Sequence, residues 1–121
     1  SGTVLVIDYG LTRRERIRFP EGTLMSYRGH LADAGVLKDP GARDITAHAD
    51  FDALRDRFEL RGFRAAPLES MAKFLLRLGE RDGFEEIMRA GDEGESRVLR
   101  NQLKTLLAGM GETFRVLRAS R

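Results

Sequence analysis

Asp8 and Tyr9 are the first residues of this sequence equipped for chemistry, because they follow the apolar run Val4-Leu5-Val6-Ile7 and precede Gly10. Strands covered on both faces read as continuous apolar runs, whereas half-exposed strands alternate. Residues 3–10 are therefore expected to be a buried strand of a parallel sheet. Open α/β sheets bind ligands beyond the carboxyl ends of their strands, where Asp8, Tyr9 and Gly10 would emerge. Asp8 has two readings, a working carboxylate in the ligand crevice or one accepting N–H bonds from its own turn, and the first is preferred. Tyr9 either walls a pocket or packs under the segment that follows. His30 and His48 lie near Asp44 and Asp50, which raises a metal-dependent hydrolase. Their spacing matches no compact zinc or di-metal signature, so hydrogen-bonded loop histidines are expected and no metal. Arg13, Arg14, Arg16, Arg18 and Arg28 read as a solvated surface. Gly109-Met110-Gly111 follows an apparent helix and precedes an apparent strand, the reverse of a phosphate loop's context, and reads as a helix C-cap.

The elements that must position these groups are unequal. Between residues 10 and 48, Gly22, Gly29, Gly35, Pro40 and Gly41 break every apolar pattern, so a long connecting loop is expected, either a functional lid or a mobile surface. Residues 50–62 carry Phe51, Leu54 and Phe58 at helical spacing, with Asp50 as N-cap and Gly62 just past the end. Residues 63–68 read as a short strand weakened by Pro67. Residues 70–78 read as a helix capped by Ser70, stopped by Gly79, with Met71, Phe74, Leu75 and Leu78 as its apolar face. Residues 84–90 suit another helical turn or two. Val98, Leu99, Leu103, Leu106, Leu107 and Met110 share one side of a helix over about residues 95–109. Gly111 ends that turn, and residues 113–117 read as a final strand. The result is an α/β layered architecture. Its first strand wants neighbours on both sides, and the two later strands are shorter and more polar, so the sheet is expected to be incomplete.

Composition bounds the functions. At 121 residues the chain is one folding unit, residues 1–121. No apolar run approaches the roughly 20 residues of a membrane span, so no membrane partner is expected. There is no cysteine, which excludes disulfides and thiolate metal sites and suits a reducing compartment. The net charge is only +2, with acidic residues interspersed among the arginines, so nucleic acid is not an expected partner. Ser1 stands where a methionine would start a gene product and no leader is visible, so the true start is expected to be missing.

A series of motifs spans nearly the whole chain: Ile7-Asp8-Tyr9-Gly10; Gly22-Thr23-Leu24 with Tyr27 and His30; Pro40-Gly41; Asp44-Ile45-Thr46-Ala47-His48; Asp50-Phe51; Phe74-Leu75-Leu76-Arg77-Leu78-Gly79; Met110-Gly111-Glu112-Thr113-Phe114. In order and spacing it resembles the carboxyl-terminal half of the MidA-like S-adenosylmethionine-dependent methyltransferases. The resemblance implies the C-terminal part of a Rossmann-like class I methyltransferase sheet with added helices. Residues 3–9 would be its fifth strand, 63–68 its sixth, and 113–117 an antiparallel seventh inserted between them. It implies S-adenosylmethionine as cofactor of the full-length protein, with the cofactor-binding residues in a missing N-terminal half. The isolated chain would then be inactive. Mitochondrial members methylate an arginine of a respiratory complex I subunit, so a protein substrate, arginine methylation and a cytoplasmic bacterial setting follow as expectations. Relatives usually carry Thr-Gln where this chain has Ser70-Met71; Ser70 still caps, but Met71 lacks a glutamine's polar contacts.

Methyl transfer from a sulfonium is an in-line displacement in which the protein aligns the partners, and an arginine acceptor would be held by carboxylates through charge-assisted bonds. Asp8 and Tyr9 are therefore the expected catalytic residues, with Tyr27, His30, Asp44, Thr46 and His48 folded over them to bind substrate. A non-catalytic protein-binding module, using an unpaired edge of the first strand, is the alternative.

Overall fold

A computed structural model describes residues 1–33, 35–81, 83–85, 89 and 93–121. Its main sheet is built around the last strand, not the first. β1 (Thr3–Leu11) pairs antiparallel with β8 (Phe114–Ser120) from Thr3 opposite Ser120 to Tyr9 opposite Phe114. On its other side β8 pairs antiparallel with β6 (Arg64–Ala65) and β7 (Glu69–Ser70), while the short β5 (Ala49–Asp50) runs parallel to β1 at Gly10 and Leu11. The order is β5-β1-β8-β6, with β7 also on β8. Of the strand expected over 63–68 only Arg64 and Ala65 form one; Pro67, which has no N–H to give to a ladder, follows it, and pairing resumes at β7 beyond the expected range. Ala66 N–H still reaches the Arg118 carbonyl at 2.7 Å. The final strand is longer than expected and holds the core: Val116, Leu117 and Ala119 are each 1% exposed.

β1 departs from the expectation of two covered faces. Residues opposite each other in a ladder share a face, so Val4 and Val6 join Ala119 and Leu117, while Leu5, Ile7 and Tyr9 join Arg118, Val116 and Phe114. α1 (Phe51–Leu60) packs on the first of these faces, where Gly10 meets the Phe51 ring. The second face is open at Leu5 (45% exposed) and Ile7 (44%). Among the described residues, no strand pairs with β1 from Thr3 to Tyr9 on the edge away from β8. The sheet expected to be incomplete is open at this edge.

The helices follow their end signals more closely. Asp50 caps α1 by accepting the Ala53 N–H at 3.0 Å. At the other end Gly62 has φ 77°, its N–H reaches Glu59 and that of Phe63 reaches Phe58, both at 3.0 Å, and the Phe58 and Phe63 rings stand 5.7 Å apart. This is a Schellman motif with its accompanying apolar contact. α2 (Met71–Gly79) is capped by Ser70, whose Oγ accepts the Lys73 N–H at 3.2 Å. Gly79 does not stop it by turning left-handed; it lies inside the helix, where a Cβ would overlap the Phe84 ring. Leu78, expected on the apolar face, is half exposed. Of the turn expected over 84–90, residues 86–88 and 90 lie outside the described residues. α3 (Glu93–Thr105) passes into a π-helical turn, Leu106–Met110, then a short turn, Gly111–Thr113. The expected C-cap at Gly109–Gly111 is therefore absent. Gly111 is helical in φ and packs so closely that a Cβ would stand 2.8 Å from the Ala72 side chain.

The connection between residues 10 and 48 is not structureless. It forms a second, antiparallel sheet in the order β3-β2-β4, from β2 (Met25–Arg28), β3 (Leu31–Asp33) and β4 (Asp44–Thr46). β2 and β3 are joined by Gly29 and His30, both at positive φ, 54° and 68°. Two such residues are what a type I′ hairpin turn needs, and glycine takes the first without strain.

Candidate functional site

Beyond β1 the chain turns sharply at Thr12–Glu15. Thr12 donates its N–H and hydroxyl to the Glu15 carboxylate, both at 2.9 Å, and accepts the Glu15 N–H at 3.2 Å, a reciprocal capping pattern. A 3₁₀ turn, Glu15–Arg18, follows. Arg115 of β8 grips the same carboxylate at 2.8 Å and anchors the turn to the main sheet. The Thr12 N–H first, then the Thr12 hydroxyl and Arg115, hold Glu15 below its ordinary pKa against the opposing effect of burial. The arginines here are solvated, as expected, and two of them are paired: Arg13 with Asp56 at 3.0 Å and Arg16 with Asp50 at 2.5 Å. The Ala53 N–H, and after it Arg16, lower the pKa of Asp50.

This turn and the second sheet enclose a cavity of about 300 Å³ beside Tyr9, lined by Tyr9, Phe19, Tyr27, His48, Thr46 and Met25 among others. It shares Phe19, Gly22, Thr23 and His48 with a wider cleft of about 790 Å³, whose outer end carries Arg13, Arg16, Glu21 and Asp50. The inner walls are ordered by ring contacts. Tyr9 meets Phe114 edge-on at 5.3 Å and His48 at 5.9 Å, and His48 meets Phe19 at 5.8 Å. The Tyr9 hydroxyl lies 3.0 Å from Thr46 Oγ1, and the His48 N–H donates to Thr23 Oγ1 at 3.0 Å. The first bond ties β1 of the main sheet to β4 of the second, and the other closes the segment between β4 and β5 onto the residues that precede β2.

Of the residues singled out in the sequence, Tyr9, Tyr27, Thr46 and His48 come together here. Asp8 does not. β1 continues through it, so Asp8 and Tyr9 point to opposite faces. Its Oδ1 accepts the Tyr9 N–H at 2.8 Å, the self-turn bond of its second reading. His30 sits in the hairpin turn between β2 and β3 and does not line the cavity. Asp44 is opposite Tyr27 in the β2–β4 ladder and so shares the sheet face of Met25, Tyr27 and Thr46, but is exposed. Met71 is buried in the core at 8% exposure, where a thioether belongs and an amide would need partners. Phe19, Met25 and Thr23 are lining residues that the sequence reading missed. The signal that could have found Phe19 is Thr12-x-x-Glu15, the capping pattern of the turn after which its ring meets that of His48. Among the described residues there is no group of three or more His, Asp or Glu able to hold a metal ion, and no helix long and apolar enough to cross a membrane.

Chemically, the inner cavity is lined by π faces, an imidazole and four hydroxyl-bearing side chains (Tyr9, Thr23, Tyr27 and Thr46), without a lining carboxylate. Such walls attract a flat or cationic group through ring quadrupoles and orient it with few hydrogen bonds.

Comparison with known proteins now adds the family. The profile of a family described as "Putative S-adenosyl-L-methionine-dependent methyltransferase" matches residues 1–67. Among curated proteins none matches. A crystal structure of an uncharacterised COG1565 superfamily protein from Burkholderia thailandensis is 34% identical with a TM-score of 0.81, over 99% of this chain and 33% of that one. A second crystal structure, of a COG1565 superfamily member and likely methyltransferase from Burkholderia thailandensis bound to S-adenosyl-homocysteine, is 32% identical with a TM-score of 0.79, over 99% of this chain and 32% of that one. The chain therefore spans about a third of the length of these solved relatives. With more than half of its residues inside the family profile and its fold shared with the solved relatives over 99% of its length, the chain belongs to this S-adenosyl-L-methionine-dependent methyltransferase family.

Proposed function

We propose that this chain is the acceptor-binding part of an S-adenosylmethionine-dependent methyltransferase whose acceptor is an arginine of a protein. The observation that carries the reading is the ring-lined cavity at the carboxyl end of β1, within a family whose chemistry is methyl transfer. The cavity of about 300 Å³ would take the acceptor side chain, and the wider cleft of about 790 Å³ that shares four of its residues would take the polypeptide presenting it. Tyr9, Phe19, Tyr27 and His48 would stack around a guanidinium. Asp44 would be the carboxylate that pairs with it from outside the lining, and its place on the sheet face of Tyr27 and Thr46 supports that role over Asp8. By the family resemblance a subunit of respiratory complex I would be such a protein, and the lack of cysteine fits a cytoplasmic setting.

The described residues do not make a cradle for the cofactor. β1 leads into the Thr12–Glu15 turn rather than into a glycine-rich loop, and at the N-terminus of α1 the Ala53 N–H is taken by Asp50. When bound elsewhere in the full-length protein, the cofactor supplies the activated methyl group. This chain's residues would hold the acceptor nitrogen in line with it and keep water out. We further propose that β1, Thr3–Leu11, is an internal strand of the class I methyltransferase sheet, as its fifth, with the remaining strands supplied by the rest of the full-length chain. The open edge and exposed Leu5 and Ile7 support that placement.

The test is transfer of a tritiated methyl group from S-adenosylmethionine into protein by the full-length enzyme, followed by amino-acid analysis. Label in methylarginines, reduced at least tenfold by His48→Ala, is expected. Label in another residue type would refute the arginine acceptor, and no transfer at all would favour the binding-module alternative, for which the same open edge is the supporting feature.

A further inference from the structure

We propose that Thr46 is a positioning residue that turns the Tyr9 hydroxyl so that its lone pairs, rather than its proton, face the cavity; this inference rests on the acceptor-site reading above. The Tyr9 ring has little freedom, because Phe114 meets it at an interplanar angle of 83° and His48 at 88°. What remains to be set is the direction of one hydroxyl proton. A phenol hydroxyl gives one hydrogen bond and accepts others, and so does that of threonine. With the two oxygens 3.0 Å apart, either can be the donor. If Tyr9 donates to Thr46, the Tyr9 lone pairs are left for the cavity and accept an N–H from its occupant. If Thr46 donates to Tyr9, the phenolic proton is left for the cavity and opposes any N–H placed there.

An occupant whose polar atoms are all donors, as in a guanidinium or an ammonium, selects the first arrangement. Thr46 makes that arrangement available by accepting the Tyr9 proton. Its own position is well fixed. It is paired with Met25 in the β2–β4 ladder, and a β-branched side chain has few rotamers in a strand. The hydroxyl pair thereby converts the placing of the second sheet over β1 into a preference for donors over acceptors, beyond what the rings supply.

The experiment uses the full-length protein and two probes of the same shape, N-acetyl-arginine amide and N-acetyl-citrulline amide. In the second an acceptor oxygen replaces a donor nitrogen. Affinities are measured by calorimetry for the wild type, Thr46→Val, Thr46→Ser, Tyr9→Phe and the double variant Tyr9→Phe with Thr46→Val. The wild type is expected to prefer the arginine probe. Thr46→Val is expected to lower the arginine-to-citrulline ratio by roughly tenfold, the size of one hydrogen bond, while Thr46→Ser keeps it within about twofold. In the Tyr9→Phe background Thr46→Val should leave the ratio unchanged. A merely structural role would weaken both probes alike and leave every ratio where it was. An unaltered ratio in Thr46→Val, a Thr46→Ser ratio as low as that of valine, or a wild type that binds neither probe would each overturn the proposal. Binding of S-adenosylhomocysteine is measured on the same samples. Its absence from the wild type would refute the methyltransferase reading, while the probe ratio still decides the role of Thr46.

Discussion

The two sheets of this molecule are held together by different forces. The main sheet is organised by apolar burial: Val116, Leu117 and Ala119 of β8 and Phe51 of α1 are each 1% exposed. The second sheet buries almost nothing apolar, with Leu31 at 76% and Ile45 at 59% exposure, and its one fully covered strand residue is Ser26, which donates to the Asp33 carbonyl at 2.8 Å. Its far side is pinned by Arg43, whose side chain is only 11% exposed and which meets Asp33 at 2.6 Å. Apolar burial stabilises without direction, whereas hydrogen bonds and ion pairs fix orientation at modest net stability. A sheet of the second kind suits a wall that must stand at a set place over a site. The first kind supplies the platform.

The sharpest way to break this contrast is to attack the platform. Leu117→Ala should cost about 2–5 kcal/mol in chemical denaturation, by lost burial plus the cavity left behind. Gly10→Ala comes next, at about 1–3 kcal/mol of overpacking, because its Cβ would overlap the Ala49 carbonyl oxygen and crowd the Phe51 ring. A smaller effect, about 1 kcal/mol, is expected for Asp50→Ala through the lost α1 cap. Asp50 also carries a pH signature. Its pKa, like that of Glu15, is lower in the folded chain than the ordinary 3.8 and 4.5 of the unfolded one, so both stabilise fully above those values. That contribution is lost as pH falls through the folded-state values, and Asp50→Asn should flatten this acid limb of the stability curve while keeping a cap. The smallest effect belongs to the second sheet: Ile45→Thr and Leu31→Ser should each change stability by no more than about 0.5 kcal/mol. A larger loss would mean that the second sheet has an apolar partner and that the contrast drawn here is false.

The sequence made the helix ends legible because the determinants are local: Asp50, Gly62 and Ser70 act on atoms within a few residues of themselves. The apolar run of β1 was equally legible as a strand. Its burial was not, because that depends on what lies beside Leu5 and Ile7, and residues 4–7 read the same whether or not a neighbour is present. β8 was understated for the converse reason. Arg115 and Arg118 interrupt its apolar pattern, yet Arg115 is taken up by Glu15, a hundred positions away. The second sheet escaped notice because its strands are three or four residues long and largely exposed, so they carry no apolar period. Tyr9, Tyr27, Thr46 and His48 are legible as candidates from the polar cluster that follows the apolar run of β1, and they line one cavity. Strand alternation separates Asp8 from them, a consequence of the strand running four residues past Ile7, the end of its apolar run.

Amide hydrogen exchange on the full-length protein tests whether β1 is, as proposed, an internal strand of a larger sheet. The β1 amides between Thr3 and Tyr9 that are not bonded to β8 should be protected to the same degree as those of Val116 to Ala119. Exchange of those β1 amides at the rate of exposed loops would contradict the account, and would leave β1 as the true edge of the sheet.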